Sequence, residues 1–242
     1  TLGVHPTGQV RVEDVPETAA LVSVMAANHE TGVVNDVGAL RAVAEAGAFV
    51  HVDAVQAAGR VALDLGWASG VVLSSHKMGG PAGVGAAVLR TGESFPSLLS
   101  GGAQERGRRA GTVNVPGVVG FGAACGVAAR DMAKRHDQAL ALQARLESGL
   151  ARLGGRIIGR DAPRLAQVTC VVFPGVSGEA VVQALDLSGI CVSHGAACAS
   201  GSLDPSPVLL AMGEAEPRGG VRFSTGPSTR HDDVLEALSV LQ

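Results

Sequence analysis

The sequence predicts an α/β protein with a mainly parallel large-domain sheet and a smaller α+β domain after it. In the first half of the chain, short and continuously apolar runs alternate with helical spacing, as expected for strands buried on both faces. The 242 residues are 46% hydrophobic and 17% charged. This composition supports a sizeable core and excludes general disorder.

The first half contains the elements of the parallel sheet. Apolar runs predict strands over 21–27, 48–54, 71–74 and 84–89, and apolar spacing predicts a helix over 37–46. The order strand, helix, strand is typical of parallel α/β structure.

The second half has a different pattern. It predicts helices over 118–129, 137–153 and 178–187, a short helix from 205, and a last helix over 232–241. Strands are predicted over 167–173, 190–193 and 220–224. We therefore expect a large domain over 1–129 and a small C-terminal domain over 130–242.

Composition also limits the function classes. The net charge is −3, and the aromatic residues are 5 Phe, 1 Trp and no Tyr, so a nucleic-acid partner is not expected. The four cysteines lie at 125, 170, 191 and 198 without a CxxC pair, which fits a reducing, cytoplasmic compartment. The first three are expected to be buried. We expect no membrane span, because the longest uncharged run, 110–129, is too polar, and the sequence shows no metal-ligand cluster.

Lys77 directly follows a predicted strand, and Asp53 ends the preceding one, with Gln56 just beyond it. Because the carboxyl ends of parallel strands meet at one edge, both side chains are expected there. A simple ion pair would explain them. A pyridoxal phosphate site would also explain them, since it needs a lysine for the Schiff base and a carboxylate for the pyridine nitrogen. Ser74 and His76 could supply donors to the cofactor phosphate.

Six ordered motifs make this hypothesis more specific. They are NHETGVVND (28–36), HVDAVQ (51–56), SSHK (74–77), GGAQERGRRAGT (101–112), GAACASG (195–201) and VRFS (221–224). The set resembles the NifS/IscS-type cysteine desulfurases, which belong to the class V aminotransferase group of fold-type-I pyridoxal phosphate enzymes. The resemblance extends through essentially the whole chain.

The resemblance implies how pyridoxal phosphate would be held. Lys77 would bind it covalently, Asp53 would pair with the pyridine nitrogen, and Gln56 would hydrogen-bond the ring oxygen. Ser74 and His76 would bind the phosphate, and His76 would also carry protons.

The same resemblance implies the substrate and sulfur chemistry. Arg222 would bind the carboxylate of L-cysteine, and Asn28 would lie beside the substrate and the ring oxygen. Cys198 would take the sulfur as a persulfide, leaving L-alanine, and pass it to an acceptor protein of unknown identity in iron–sulfur cluster or thiolation pathways. Thr112 would reach the phosphate of a neighbouring subunit, which implies a homodimer.

Three departures from the family pattern are visible. The residues before Asn28 are too few to supply the family's phosphate-binding turn and its ring-stacking histidine, so the sequence is expected to be N-terminally truncated or one part of a split protein. Ser75 stands where the family usually has glycine, and His29 where it often has a second asparagine.

Several alternatives stay open at this point. The chain could be another class V enzyme, such as a selenocysteine lyase or an aminotransferase with a different substrate. It could also be an inactive fragment or scaffold, and Cys198 could be incidental to a small-residue loop.

Overall fold

The computed structural model describes residues 1–195 and 204–242. The strands are β1 (Leu21–Met25), β2 (Phe49–Asp53), β3 (Gly70–Ser74), β4 (Gly85–Leu89), β5 (Arg156–Ile157), β6 (Val168–Val172), β7 (Ser193–His194) and β8 (Gly220–Ser224). The α-helices are α1 (Arg41–Glu45), α2 (Gln104–Gly107), α3 (Val115–Arg152), α4 (Gly178–Leu187), α5 (Pro207–Ala211) and α6 (His231–Val240). Short 3-10 helices cover Val12–Asp14, Val37–Leu40 and Ser75–Met78.

Contacts between Cα atoms divide the chain into two compact units. The Lys77 unit comprises Glu17–Met25 and Val37–Asp131, and the Arg222 unit comprises Thr1–Pro16, Ala26–Asp36 and Met132–Gln242. The boundary between the units thus lies within α3, and two N-terminal segments belong to the same unit as the C-terminal part of the chain. The domain division at 129/130 stays a prediction.

The Lys77 unit contains a four-stranded sheet in the order β1-β2-β3-β4. β1, β2 and β3 are parallel, with Met25 opposite Asp53 and Asp53 opposite Val72. β4 is antiparallel to β3, because the link between them is too short for the crossover of about a dozen residues that parallel strands need. The prediction of a mainly parallel sheet is therefore confirmed.

One prediction for the helices was wrong. The segments 118–129 and 137–153 are parts of one continuous helix, α3, which has 38 residues. The intervening 130–136 is charged, which interrupts the apolar pattern, but it contains neither glycine nor proline to end a helix. Although α3 is long, no helix in 1–195 or 204–242 is both long and apolar enough to span a bilayer.

The Arg222 unit contains an antiparallel sheet in the order β5-β6-β8-β7. Residues of β6 and β8 pack with α3, α4 and α6 in a buried apolar core. The core includes the following buried side chains: Leu142, Leu146, Leu150, Val171, Leu185, Val221, Phe223, Val234 and Leu238. Helix α4 and strand β8 have the predicted bounds.

The predicted strand over 190–193 was wrong, since β7 is only Ser193–His194. The backbone N–H of Ile190 donates to the carbonyl of Leu185 at 2.9 Å, so Ile190 completes the end of α4 instead of pairing with a strand. Gly189, with φ of 79°, makes this reversal possible.

A buried polar cluster joins α3 to the segment before β6. Arg164 forms a bidentate ion pair with Glu147, with N···O distances of 2.7 and 3.1 Å, and both side chains are only 9% exposed. Thr169 donates its hydroxyl to the same carboxylate at 3.1 Å. Gln143 donates to the carbonyls of Leu165 and Val168. The buried charges are therefore paired and hydrogen-bonded, as burial requires.

We predict that Glu147→Ala will lower the free energy of unfolding by about 3–5 kcal/mol, because it leaves the buried Arg164 guanidinium without its carboxylate. Urea denaturation monitored by circular dichroism measures this loss. Arg130→Ala, on the same helix, removes an exposed pair with Asp131 and should cost less than about 1 kcal/mol. Equal losses in the two variants would contradict the assignment.

Candidate active site

Lys77 lies where β3 passes into the 3-10 helix Ser75–Met78, which ends at Gly79 with φ of 86°. The side chain is half-buried. Its amine forms no hydrogen bond or ion pair with any residue in 1–195 or 204–242. An amine without a protein partner is chemically available to a carbonyl compound, whereas an ion-paired amine is not. The alternative of a simple Asp53–Lys77 ion pair is therefore not what the structure shows.

Ser75, which departs from the family's usual glycine, does not require a positive φ. Serine therefore fits the backbone here without strain. Its buried hydroxyl has no hydrogen-bond partner among the described residues. The turn is tight, because a Cβ added at Gly80 would clash with this hydroxyl oxygen.

Asp53 ends β2 and is half-buried. One of its carboxylate oxygens accepts the backbone N–H of Val55 at 2.9 Å, an Asx-turn that fixes the side chain at the strand end. The second oxygen has no partner in the described residues. This oxygen is available to accept a hydrogen bond from a protonated ring nitrogen.

Gln56 is held by a residue that the sequence analysis missed. Arg60 Nη1 donates to the Gln56 side-chain oxygen at 2.8 Å and to its backbone carbonyl at 2.9 Å. Arg60 Nη2 donates to the carbonyl of Lys77 at 3.0 Å. The only sequence signal was a cation that follows the HVDAVQ motif by a few residues.

Ser74 and His76 contact each other, with 2.9 Å between the hydroxyl oxygen and Nδ1. Ser74 ends β3 and occupies the N-cap position of the 3-10 helix that contains His76 and Lys77. Thr112 lies on an exposed segment of the Lys77 unit, and its carbonyl accepts from Arg109 at 3.3 Å. In the described residues its hydroxyl is left to solvent.

Arg222 lies in the middle of β8, opposite Cys170 on one side and Ser193 on the other. Its Nη1 donates to the carbonyl of His29 at 2.7 Å, and its Nη2 donates to the hydroxyl of Ser193 at 3.1 Å. Its buried Nε has no hydrogen-bond partner in the described residues. The guanidinium is thus oriented by the protein while each Nη keeps a second hydrogen for a carboxylate.

Asn28 uses its side-chain oxygen within its own turn. That oxygen accepts the backbone N–H groups of Glu30 and Thr31 at 2.9 Å each and the Thr31 hydroxyl at 3.1 Å. The amide nitrogen is consequently the end that remains for a ligand, and it can act only as a donor.

Glu30 was also missed by the sequence analysis. It is 3% exposed, and one carboxylate oxygen accepts the hydroxyl of Ser206 at 2.7 Å, while the other has no hydrogen-bond partner in the described part of the chain. Ser206 also caps α5 by accepting from the N–H of Leu209. The turn that begins at Asn28 therefore binds the start of α5 through Glu30.

The cysteines differ in environment. Cys170 is buried, Cys125 is half-buried and Cys191 is exposed. The expectation of burial is therefore confirmed for Cys170, met only in part for Cys125, and wrong for Cys191. Burial, with a further contribution from the nearby Glu30 carboxylate, raises the pKa of the Cys170 thiol to about 12. Cys198 lies outside the described residues.

The residues of the Lys77 unit fit pyridoxal phosphate in their chemistry. They offer an amine and a carboxylate oxygen that have no partner in 1–195 or 204–242, an oriented side-chain amide, and a hydroxyl–imidazole pair. Within 1–195 and 204–242, no group of three or more His, Cys, Asp or Glu side chains is placed to hold a metal ion.

Comparisons with known proteins identify the family to which this sequence is similar. Residues 3–237 match the family model described as aminotransferase class-V. A cysteine desulfurase of Bradyrhizobium diazoefficiens is 46% identical over 229 residues, which cover 92% of this chain and 58% of that protein. One from Gluconacetobacter diazotrophicus is 40% identical, with 99% and 63% covered. The chain thus spans less than two thirds of the length of these relatives.

Solved structures give the same result for the fold. A NifS-like protein from Rickettsia africae superposes with a TM-score of 0.90 at 27% identity, covering 99% of this chain and 67% of that one. The apo structure of a cysteine desulfurase from Thermococcus onnurineus gives 0.79 at 25% identity, covering 99% and 64%. The similarity therefore extends over nearly the whole of this chain.

We predict that Cys170 will resist alkylation by iodoacetamide at pH 8 in the folded chain, because a thiol with a pKa of about 12 is ionised to about one part in ten thousand at that pH. Cys191 should be labelled readily. Peptide mass spectrometry after timed labelling compares the two thiols within one sample. Labelling of both at equal rates in folded protein would contradict the burial of Cys170, and labelling in urea provides the control.

Proposed function

Because the chain belongs to the aminotransferase class-V family, we propose that it carries the chemistry of a cysteine desulfurase that depends on pyridoxal phosphate. The observation that carries the proposal is the amine of Lys77 just after β3, which has no partner among the described residues. Similar proteins at 40% and 46% identity are named cysteine desulfurases, which favours this activity over other class V reactions.

The Lys77 unit would hold the cofactor. Lys77 binds it covalently, and the free oxygen of Asp53 pairs with the pyridine nitrogen, which keeps that nitrogen protonated. Gln56 donates to the ring oxygen, and Ser74 and His76 bind the phosphate. When bound, pyridoxal phosphate supplies an electron sink for carbanion chemistry on an amino acid.

Arg222 would bind the carboxylate of L-cysteine. The two free hydrogens on its Nη atoms suit a bidentate contact, whose geometry lysine cannot copy. Asn28 presents its amide nitrogen as a further donor to an oxygen of the substrate or the ring. His76, which is exposed beside Lys77, carries protons to and from the reacting groups.

Cys198 would accept the sulfur. Its thiolate attacks the sulfur of the bound cysteine, a sulfur–sulfur bond forms, and the carbon–sulfur bond breaks. The proton lost by the thiol is balanced by the one gained at the methyl carbon, so L-cysteine and Cys198 give L-alanine and a persulfide. No external oxidant is needed.

The persulfide would pass to a sulfur-acceptor protein in iron–sulfur cluster assembly or thiolation. We place this reaction in the cytoplasm, where a reducing environment keeps the accepting thiol free. The exposed position of Thr112 suits a contact with the phosphate of a second copy, so we propose that the active form is a homodimer.

We predict that borohydride reduction of the chain with pyridoxal phosphate will fix the label on Lys77. Lys134 is the only other lysine in the sequence and is exposed on α3, which makes Lys134→Ala a matched control. Lys77→Ala should lose the visible band of the bound cofactor and the fixed label, whereas Lys134→Ala should keep both. Label found mainly on Lys134 or on the N-terminal amine would refute the role of Lys77.

We predict that Cys198→Ala will lower sulfide release from L-cysteine at least about hundredfold while the cofactor band persists, because the nucleophile is lost but the Lys77 unit is intact. Cys191→Ala, which removes the exposed cysteine, should release sulfide like the unchanged chain. Methylene blue detection of sulfide in the presence of a thiol reductant measures both variants. Undiminished release from Cys198→Ala would show that another group takes the sulfur.

A further inference from the structure

Arg60 connects two of the groups proposed to hold the cofactor. It donates to the side-chain and backbone oxygens of Gln56 and to the backbone carbonyl of Lys77, at 2.8 to 3.0 Å. These contacts all lie inside the Lys77 unit. The guanidinium thus spans the residues after β2 and the turn after β3.

The chemistry of the guanidinium fixes the orientation of the Gln56 amide. Arginine has five N–H donors and no acceptor, so only the side-chain oxygen of Gln56 can face it. The Gln56 amide nitrogen must then face away from Arg60, as a pair of donors. Without Arg60, the two ends of the amide would compete for this position.

The charge of Arg60 has no carboxylate partner in 1–195 or 204–242. Burial lowers the pKa of its guanidinium. A partly buried cation without a counter-ion is costly, and its contacts with three carbonyl-type oxygens offset only part of that cost. Simple ion pairing therefore does not account for arginine at this position.

We propose that Arg60 is a positioning residue, which locks the Gln56 amide so that its N–H group donates to the ring oxygen of bound pyridoxal phosphate. The proposal rests on the proposed function for the identity of the ligand, but the orientation of Gln56 is a property of this chain alone. Arg60 itself touches Gln56 and the backbone of Lys77, and its proposed effect on the cofactor acts through Gln56.

The first test needs no cofactor. In the cofactor-free chain labelled with ¹⁵N, the side-chain amide of Gln56 gives one resolved pair of resonances, assigned by its loss in Gln56→Ala. Arg60→Met, which keeps the length and removes the donors, should shift or broaden this pair. Arg60→Lys should retain it, because an ammonium can still donate to the side-chain oxygen. Arg41→Met removes a half-exposed guanidinium that pairs with Asp64 and is the matched control.

The second test measures the dissociation constant of pyridoxal phosphate by absorbance. Arg60→Met and Gln56→Ala should each weaken binding about tenfold, the effect of one hydrogen bond of about 1.4 kcal/mol. The double variant should be no weaker than Gln56→Ala alone, because Arg60 acts through Gln56. Arg60→Lys should stay within about threefold of the unchanged chain.

Three outcomes would overturn the proposal: an unchanged Gln56 amide in Arg60→Met, multiplied effects in the double variant, or a disordered amide in folded Arg60→Lys. Multiplied effects would mean that Arg60 affects cofactor binding independently of Gln56. If Arg60→Met does not fold, the Arg60→Lys results decide. A shifted amide signal without cofactor binding by any chain would refute the proposed function and leave the positioning role supported.

Discussion

Parallel pairing of β2 with β3 is the constraint on which the candidate cofactor site depends. Because Asp53 lies opposite Val72 in this register, the two strands leave the sheet at the same edge. The Asx-turn after Asp53 and the 3-10 helix that holds Lys77 begin at these two strand ends. Arg60 then connects the segments that follow these two strands, through hydrogen bonds to Gln56 and to the carbonyl of Lys77. A different strand order would separate these groups whatever their sequence spacing.

Two side-chain amides, one in each unit, follow the same physical rule. Protein donors occupy the oxygen of Asn28 and the oxygen of Gln56, so each amide offers only N–H groups to a ligand. Arg222, which β8 carries and two hydrogen bonds orient, adds further donors. The groups proposed for binding therefore present hydrogen-bond donors, which suit negatively charged oxygen atoms of a ligand. Preparation of this kind reduces the ordering that binding would otherwise require.

The sequence predicted those features of the fold that depend on residues close to one another along the chain. The strands of the parallel sheet and the bounds of α4 and β8 follow from local composition and spacing. The continuity of α3 was missed because hydrophobic spacing stops where the helix turns charged. Arg60 and Glu30 were missed for another reason. Arg60 contacts Lys77, 17 residues away, as well as the nearby Gln56, and Glu30 contacts Ser206, 176 residues away. No local pattern indicates the two distant contacts.

The position of Arg222 inside β8 has a consequence for how such a chain can vary through evolution. Side chains alternate along a strand, so Val221 and Phe223 enter the apolar core while Arg222 faces the other side. Inserting or deleting one residue within Gly220–Ser224 would exchange these faces and place a charge in the core. Such length changes would disrupt the packing of this sheet, whatever their effect on the substrate binding proposed for Arg222. The register of the sheet therefore fixes which face residue 222 occupies. The choice of arginine at this position is a separate matter, which concerns the proposed activity.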